Sequence, residues 1–142
     1  MAFDIDGLLS LWFQDPGSDA EAAAAFGAFY TDPVVVNGKP VSLTDLVTRG
    51  AALRATFSDL RREILDVCEA GDKVAVAFRM TGHQTGVLAT AAGPLPPTGR
   101  EITVRVIDIL TLTDGRISSL SMVADEMGAL AAVDAVRLVD TA

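Results

Sequence analysis

The stretch EITVRVIDILTLT, from Glu101 to Thr113, decides the fold. Its residues alternate: Ile102, Val104, Val106, Leu110 and Leu112 share one side with Asp108, while Thr103, Arg105, Ile107, Ile109 and Thr111 share the other. A side-chain period of two is that of a β-strand, and this one is long. On its C-terminal side, Asp114-Gly115 reads as a hairpin turn into a second alternating run, Arg116 to Ala124. On its N-terminal side, Leu60 to Glu69 and Lys73 to His83 alternate as well, joined by the turn Ala70-Gly71-Asp72. Between them, Val87 to Gly99 is rich in Ala, Gly and Pro and is expected to be a long connection lying over a pocket mouth.

Before residue 60 the period is helical. Ile5, Leu8, Leu9, Trp12 and Phe13 follow the spacing of one helix face, which ends before Asp15-Pro16-Gly17. Ser18 and Glu21 have capping-box spacing, and the Ala-rich helix they open carries Phe26, Phe29 and Tyr30 until Asp32-Pro33 stops it. Val34 to Val36 is β-branched and closed by Asn37-Gly38, a short strand entering a tight turn. Ser42 with Asp45 opens a third helix bearing Leu43, Leu46, Val47, Leu53 and Phe57. A last helix starts near Asp125, with Met127, Leu130, Ala131 and Val133 as its expected contacts.

Helices first and an antiparallel meander afterwards predict an α+β fold, with the helices packed on one face of a curved sheet. Both faces of the Glu101–Thr113 strand carry large apolar groups, so the second face is expected to be a homodimer interface with Ile107 and Ile109 at the subunit contact. A chain of 142 residues, half of them apolar, suits one domain over 1–142 with a core that needs neither disulfide nor metal. A formal charge of −8 opposes binding to nucleic acid or an anionic membrane. The N-terminus lacks a basic leader and no apolar run reaches the ~20 residues of a membrane span, which makes the cytoplasm the expected location.

Few residues invite chemistry. Cys68 reads as a half-buried strand cysteine, and one Cys with one His cannot by themselves hold a metal. There is no Gly-rich phosphate loop, Ser nucleophile elbow or HExxH pattern, so no cofactor and no metal are expected. Asp108 stands out because the strand register points its carboxyl into an apolar interior. Burial there would raise its pKa toward neutrality, the property of a carboxyl acid or base; the alternative is a hydrogen-bonded core group or a wet sheet end. His83, the single imidazole, ends a strand as either a surface or a ligand-facing group. Trp12, Phe26, Phe29 and Tyr30 are core or pocket wall, with Tyr30 able to donate a hydrogen bond to a ligand. Arg79 belongs with the second face, and Asp125 and Glu126 suit the start of the last helix.

Three pieces between Val74 and Leu130 carry a family resemblance. They are Thr81-Gly82-His83-Gln84-Thr85-Gly86; Pro96-Pro97-Thr98-Gly99 with the strand Val104 to Leu110; and Asp114-Gly115-Arg116-Ile117 leading to Asp125-Glu126-Met127-Gly128-Ala129-Leu130. In this order they resemble the SnoaL-like polyketide cyclase family, within the nuclear-transport-factor-like superfamily that also holds ketosteroid isomerases and limonene-type epoxide hydrolases. Phe29 to Gly38 fits more loosely. The resemblance implies a cone-shaped α+β barrel, a dimer, and a cofactor-free ring closure of an apolar polyketide supported by a carboxyl. Asp108 matches the strand position at which ketosteroid isomerases keep a carboxylic acid neutral to hydrogen-bond an oxyanion. The family's Glu-His-Trp-Asp run reads Ser119-Leu120-Ser121-Met122 here, which puts Met122 in the slot of the usual aldol carboxylate and Leu120 beside it. The family's strand-end His falls on Gln84, with His83 one place earlier, and Asn37 stands where the isomerases have a base. The substrate-binding set implied is Trp12, Phe29, Tyr30, Asn37, His83, Gln84, Leu120 and Met122 around Asp108. The expected activity is a polyketide-type cyclase in natural-product biosynthesis, by aldol closure or cycloaddition; epoxide opening and a non-catalytic binding dimer are the alternatives.

Overall fold

The computed structural model describes residues 2–140. In chain order it comprises α1 (Ile5–Phe13), α2 (Asp19–Phe29), β1 (Tyr30–Val36), β2 (Lys39–Val41), α3 (Leu43–Thr56), β3 (Phe57–Ala70), β4 (Lys73–Gln84), β5 (Leu88–Thr90), β6 (Gly93–Leu95), β7 (Glu101–Thr113), β8 (Arg116–Ala124) and α4 (Glu126–Ala132). Each helix begins on a side chain that accepts from a backbone N–H of its first turn: Asp4 from Gly7, Ser18 from Glu21, Ser42 from Asp45 and Asp125 from Gly128. Ser18 and Glu21 complete both halves of a capping box.

Six strands form one sheet in the order β2-β1-β8-β7-β4-β3, and β5 pairs only with β6. Every neighbour in the large sheet is antiparallel except β1 with β8. The alternation read in β7 is the alternation of burial, with Ile102, Val106 and Leu110 buried and Thr103, Arg105, Ile107 and Ile109 exposed. Helices α1, α2 and α3 cover the inner face, where Leu8, Leu9, Phe26 and Leu46 pack with Val74, Val76, Phe78, Val106, Leu110 and Ile117. The fold is α+β, as predicted. Among the described residues no helix is long and apolar enough to cross a membrane.

Several boundaries differ from the sequence expectation. Phe57 does not end α3; its backbone is extended, it pairs with Gln84 of β4, and its ring is buried in a second cluster with Ile102, Ala129 and Val133. Asp32-Pro33 does not stop the second helix, which ends at Phe29; β1 runs through the pair. Pro33 falls in the interval where the β1–β8 register shifts, so its missing N–H removes no ladder bond. The short strand β2 was not foreseen, and the Val87–Gly99 connection contains the hairpin β5–β6. On α4 the buried side is Ala129 and Leu130, continued by Val133, whereas Ala131 is exposed and Met127 is 70% exposed, so neither is the contact expected.

Candidate functional site

A cavity of about 340 Å³ lies between the helices and the inner face of the sheet. Helix α1 contributes Leu9, Trp12 and Phe13, α3 contributes Leu46, Arg49 and Leu53, and the strands supply an apolar floor that includes Phe78, Val106, Leu110 and Leu120. The lining residues Arg49, Met122 and Ala124 are also exposed, which marks the open side. No residue of the Val87–Gly99 segment lines the cavity, so that connection is not a cover for it.

Asp108 sits in this floor. Its direct cross-strand neighbours are Val76 on β4 and Met122 on β8, and along β7 it is flanked on the inner face by Val106 and Leu110. One carboxyl oxygen, Oδ1, is buried with no hydrogen-bond partner among the described residues, a state that is rare for a native polar atom. Removal from water disfavours the charged form and pushes the pKa from the ordinary 3.8 up to about 6.

Tyr30 and Trp12 stand together in the same wall. The indole Nε1 donates to the Tyr30 hydroxyl at 2.9 Å, and the two rings meet edge to face at 6.4 Å. Burial drives the Tyr30 pKa upward; the Trp12 bond opposes this, and a charge on Asp108 adds to it. The phenol therefore stays protonated. Since its oxygen already accepts from Trp12, its proton remains available to a ligand.

The expected site residues divide cleanly. Trp12, Tyr30, Asp108, Leu120 and Met122 line the cavity; Phe29, Asn37, His83 and Gln84 do not. Phe29 packs edge to face against Phe3, with centroids 6.1 Å apart. Asn37 adopts φ 50° in the β1–β2 turn, where its N–H donates to Leu120 O and its Oδ1 accepts from Met122 N. It therefore holds β8 in place behind the cavity wall. His83 is on the outer side of β4, its ring nitrogens 4.0 Å from carboxylate oxygens of Asp59 and Glu101. Gln84 points inward but is completely buried, donating to Gly86 O, Leu95 O and Pro96 O and accepting from Thr98. Strand parity separates these last two neighbours.

Arg49 was missed. Its signal was present in the sequence, because Leu46, Arg49 and Leu53 follow helical spacing and so share one stripe of α3. Among the described residues, no group of three or more His, Cys, Asp or Glu side chains is placed to hold a metal ion.

The family model described as SnoaL-like polyketide cyclase matches residues 11–133. No curated protein matches the chain by sequence. Solved structures with the same fold include a SnoaL-like polyketide cyclase from Agrobacterium tumefaciens, 20% identical over 94% of this chain and 98% of that one with a TM-score of 0.71. TsrD from Streptomyces laurentii is 17% identical over 95% and 100% of the two chains, with a TM-score of 0.74. IdmH from Streptomyces antibioticus is 19% identical over 91% and 96%, with a TM-score of 0.66. At these identities the likeness establishes fold alone.

Proposed function

We propose, from the premise that the chain belongs to the SnoaL-like polyketide cyclase family, that it closes a ring in a polyketide-type intermediate of natural-product biosynthesis, with Asp108 as the acid. The observation that carries this reading is the half-buried carboxyl of Asp108, whose Oδ1 is buried with no partner among the described residues in a largely apolar cavity. A flexible apolar chain folded against Trp12, Phe78 and Leu110 is held with its reacting ends together. Such orientation can recover roughly 7–11 kcal/mol of a ring-closure barrier.

Asp108, protonated over much of the range below neutrality, donates a hydrogen bond to a substrate carbonyl, and the Tyr30 hydroxyl can supply a second. In an aldol closure, the enol carbon bonds to that carbonyl carbon and the carbonyl oxygen takes the Asp108 proton to become a hydroxyl. The carboxylate left behind accepts the proton lost from the enol oxygen. One carboxyl thus serves both directions, which suits a cavity in which Met122 occupies the place of a second. A cycloaddition would use the same hydrogen bonds without proton transfer. Epoxide opening needs an acid and a base, and Asn37, which stands at the base position by resemblance, spends its Oδ1 on the Met122 N–H. The same reading includes a homodimer formed through the outer face of the sheet, supported by exposed Ile107, Ile109 and Val123.

Deletion of the gene from a producing strain is the direct test. The expected result is an accumulated open-chain intermediate that the purified protein converts to the cyclised product and the Asp108→Asn protein converts far more slowly. An unchanged metabolite profile would remove the proposal.

A further inference from the structure

Apart from Asp108, the cavity wall holds one group that carries charge near neutral pH, the guanidinium of Arg49. In a chain with a formal charge of −8, basic side chains have many carboxylates to choose from, and Arg61, Arg62, Arg79 and Arg100 each pair with one. Among the described residues Arg49, like Arg54, Arg105, Arg116 and Arg137, pairs with none, and of these five it alone lines the cavity. Among the described residues no carboxylate lies within 4 Å of it, and it makes no side-chain hydrogen bond, although Asp45 stands one helical turn earlier. It is exposed at the rim, while the Asp108 oxygen is buried in the floor. The two charged groups are not an ion pair, so the cavity has a cationic rim and a carboxyl floor separated by apolar wall.

We propose that Arg49 sets substrate specificity: the cavity takes an apolar body that ends in a planar oxyanion, a carboxylate or the enolate of a β-dicarbonyl, held by Arg49 at the rim while the apolar body fills the cavity. A guanidinium presents parallel N–H donors that match two oxygens of such a group, which a neutral amide or ester cannot reproduce. Helix α3 fixes the position, because Leu46 and Leu53 on the same stripe are committed to the wall. The proposal rests on the cavity being the substrate site, but not on the chemistry assigned to Asp108.

The test is calorimetric titration of the intact protein with phenylvalerate, which has an apolar body and a carboxylate, and with the neutral phenylvaleramide. Wild type is expected to bind the acid about 5- to 10-fold more tightly than the amide. The preference should shrink as salt rises from about 0.02 to 0.5 M, since the rim is open to solvent. Arg49→Gln is expected to abolish the acid preference while binding the amide as wild type does, and Arg49→Lys to retain part of it. Asp108→Asn is expected to keep the preference, which separates failure of this proposal from failure of the proposed acid. Equal binding of acid and amide by wild type, or no binding of either, overturns the inference. An equal loss of both ligands in Arg49→Gln overturns it too, because then only the aliphatic stem of the arginine contributes.

Discussion

Asp108 is a carboxyl for which folding is unfavourable unless it keeps its proton. Its folded pKa of about 6 lies above the ordinary 3.8, so in acid both folded and unfolded chains hold the proton and no penalty exists. As pH rises from about 4 through about 6 the unfolded chain releases the proton first, and the native state loses stability relative to it. Asp108→Asn has no proton to lose. Its unfolding free energy is expected to match that of wild type near pH 4 and to exceed it near pH 8, by of order 1–2 kcal/mol once partial exposure is discounted. A difference that does not change with pH would show that the carboxyl is not held away from water. Activity should fall with pH over the same range. If neutral Asp108 is the acid, kcat/KM of wild type falls as pH rises through about 6, and Asp108→Asn lacks this limb and turns over about 10²-fold more slowly. Asp125→Asn serves as the control, since asparagine still accepts from Gly128 N at the start of α4 and should leave turnover intact.

At the scale of elements, strand ends and connections carry the tension between sequence and structure. Gln84 closes β4 by tying its carboxamide to Gly86, Leu95, Pro96 and Thr98, which makes the β5–β6 hairpin a fixed flap on the second core cluster. Gln84→Ala removes the shared donor of three part-buried carbonyls and should lower the urea unfolding free energy by about 1–3 kcal/mol, with faster amide exchange over residues 86–98. Unchanged exchange there would mean that the hairpin is held by other contacts. These bonds were invisible in sequence because a buried amide and a ligand-binding amide are the same residue. What was legible had strong period: β7 and β8 run from the predicted first residue to the predicted last. The α3–β3 junction was not, because Leu53 and Phe57 keep helical spacing while Phe57 finds its partners across the sheet, in Gln84 and Ile102. Asn37 and His83 were placed at the site by resemblance, yet turn geometry sends one amide to Met122 N and strand parity sends the imidazole outward. Arg49 escaped notice because a charged residue within an apolar stripe reads as helix surface until the cavity beneath it is seen.

At the scale of the whole molecule, the outer face of the sheet presents an exposed apolar surface. Ala77, Ile107 and Val123 are direct neighbours across β4, β7 and β8, and Ala75, Ile109 and Ser121 form the next row. Ile107, Ile109 and Val123 are 56%, 48% and 74% exposed in the single chain, a contiguous apolar band rather than scattered side chains. On the other side of the Ile107 row, Arg79 and Arg105 stand opposite each other, a repulsive cross-strand pair of which, among the described residues, only Arg79 has a carboxylate, Glu63, to offset it. A two-fold contact places the same band on both partners, so the apolar rows bury each other and an acidic side chain of the second copy can approach Arg105. Such a dimer also stiffens β7, whose inner side carries Asp108, and so links assembly to the geometry of the site. Wild type is therefore expected to sediment as a dimer at micromolar concentration. Ile107→Glu, which puts two like charges into the buried band without touching the cavity, should sediment as a folded monomer with the same helix and strand content by circular dichroism. A wild-type monomer, or an Ile107→Glu protein that still dimerises, would show that another surface, or none, joins two copies.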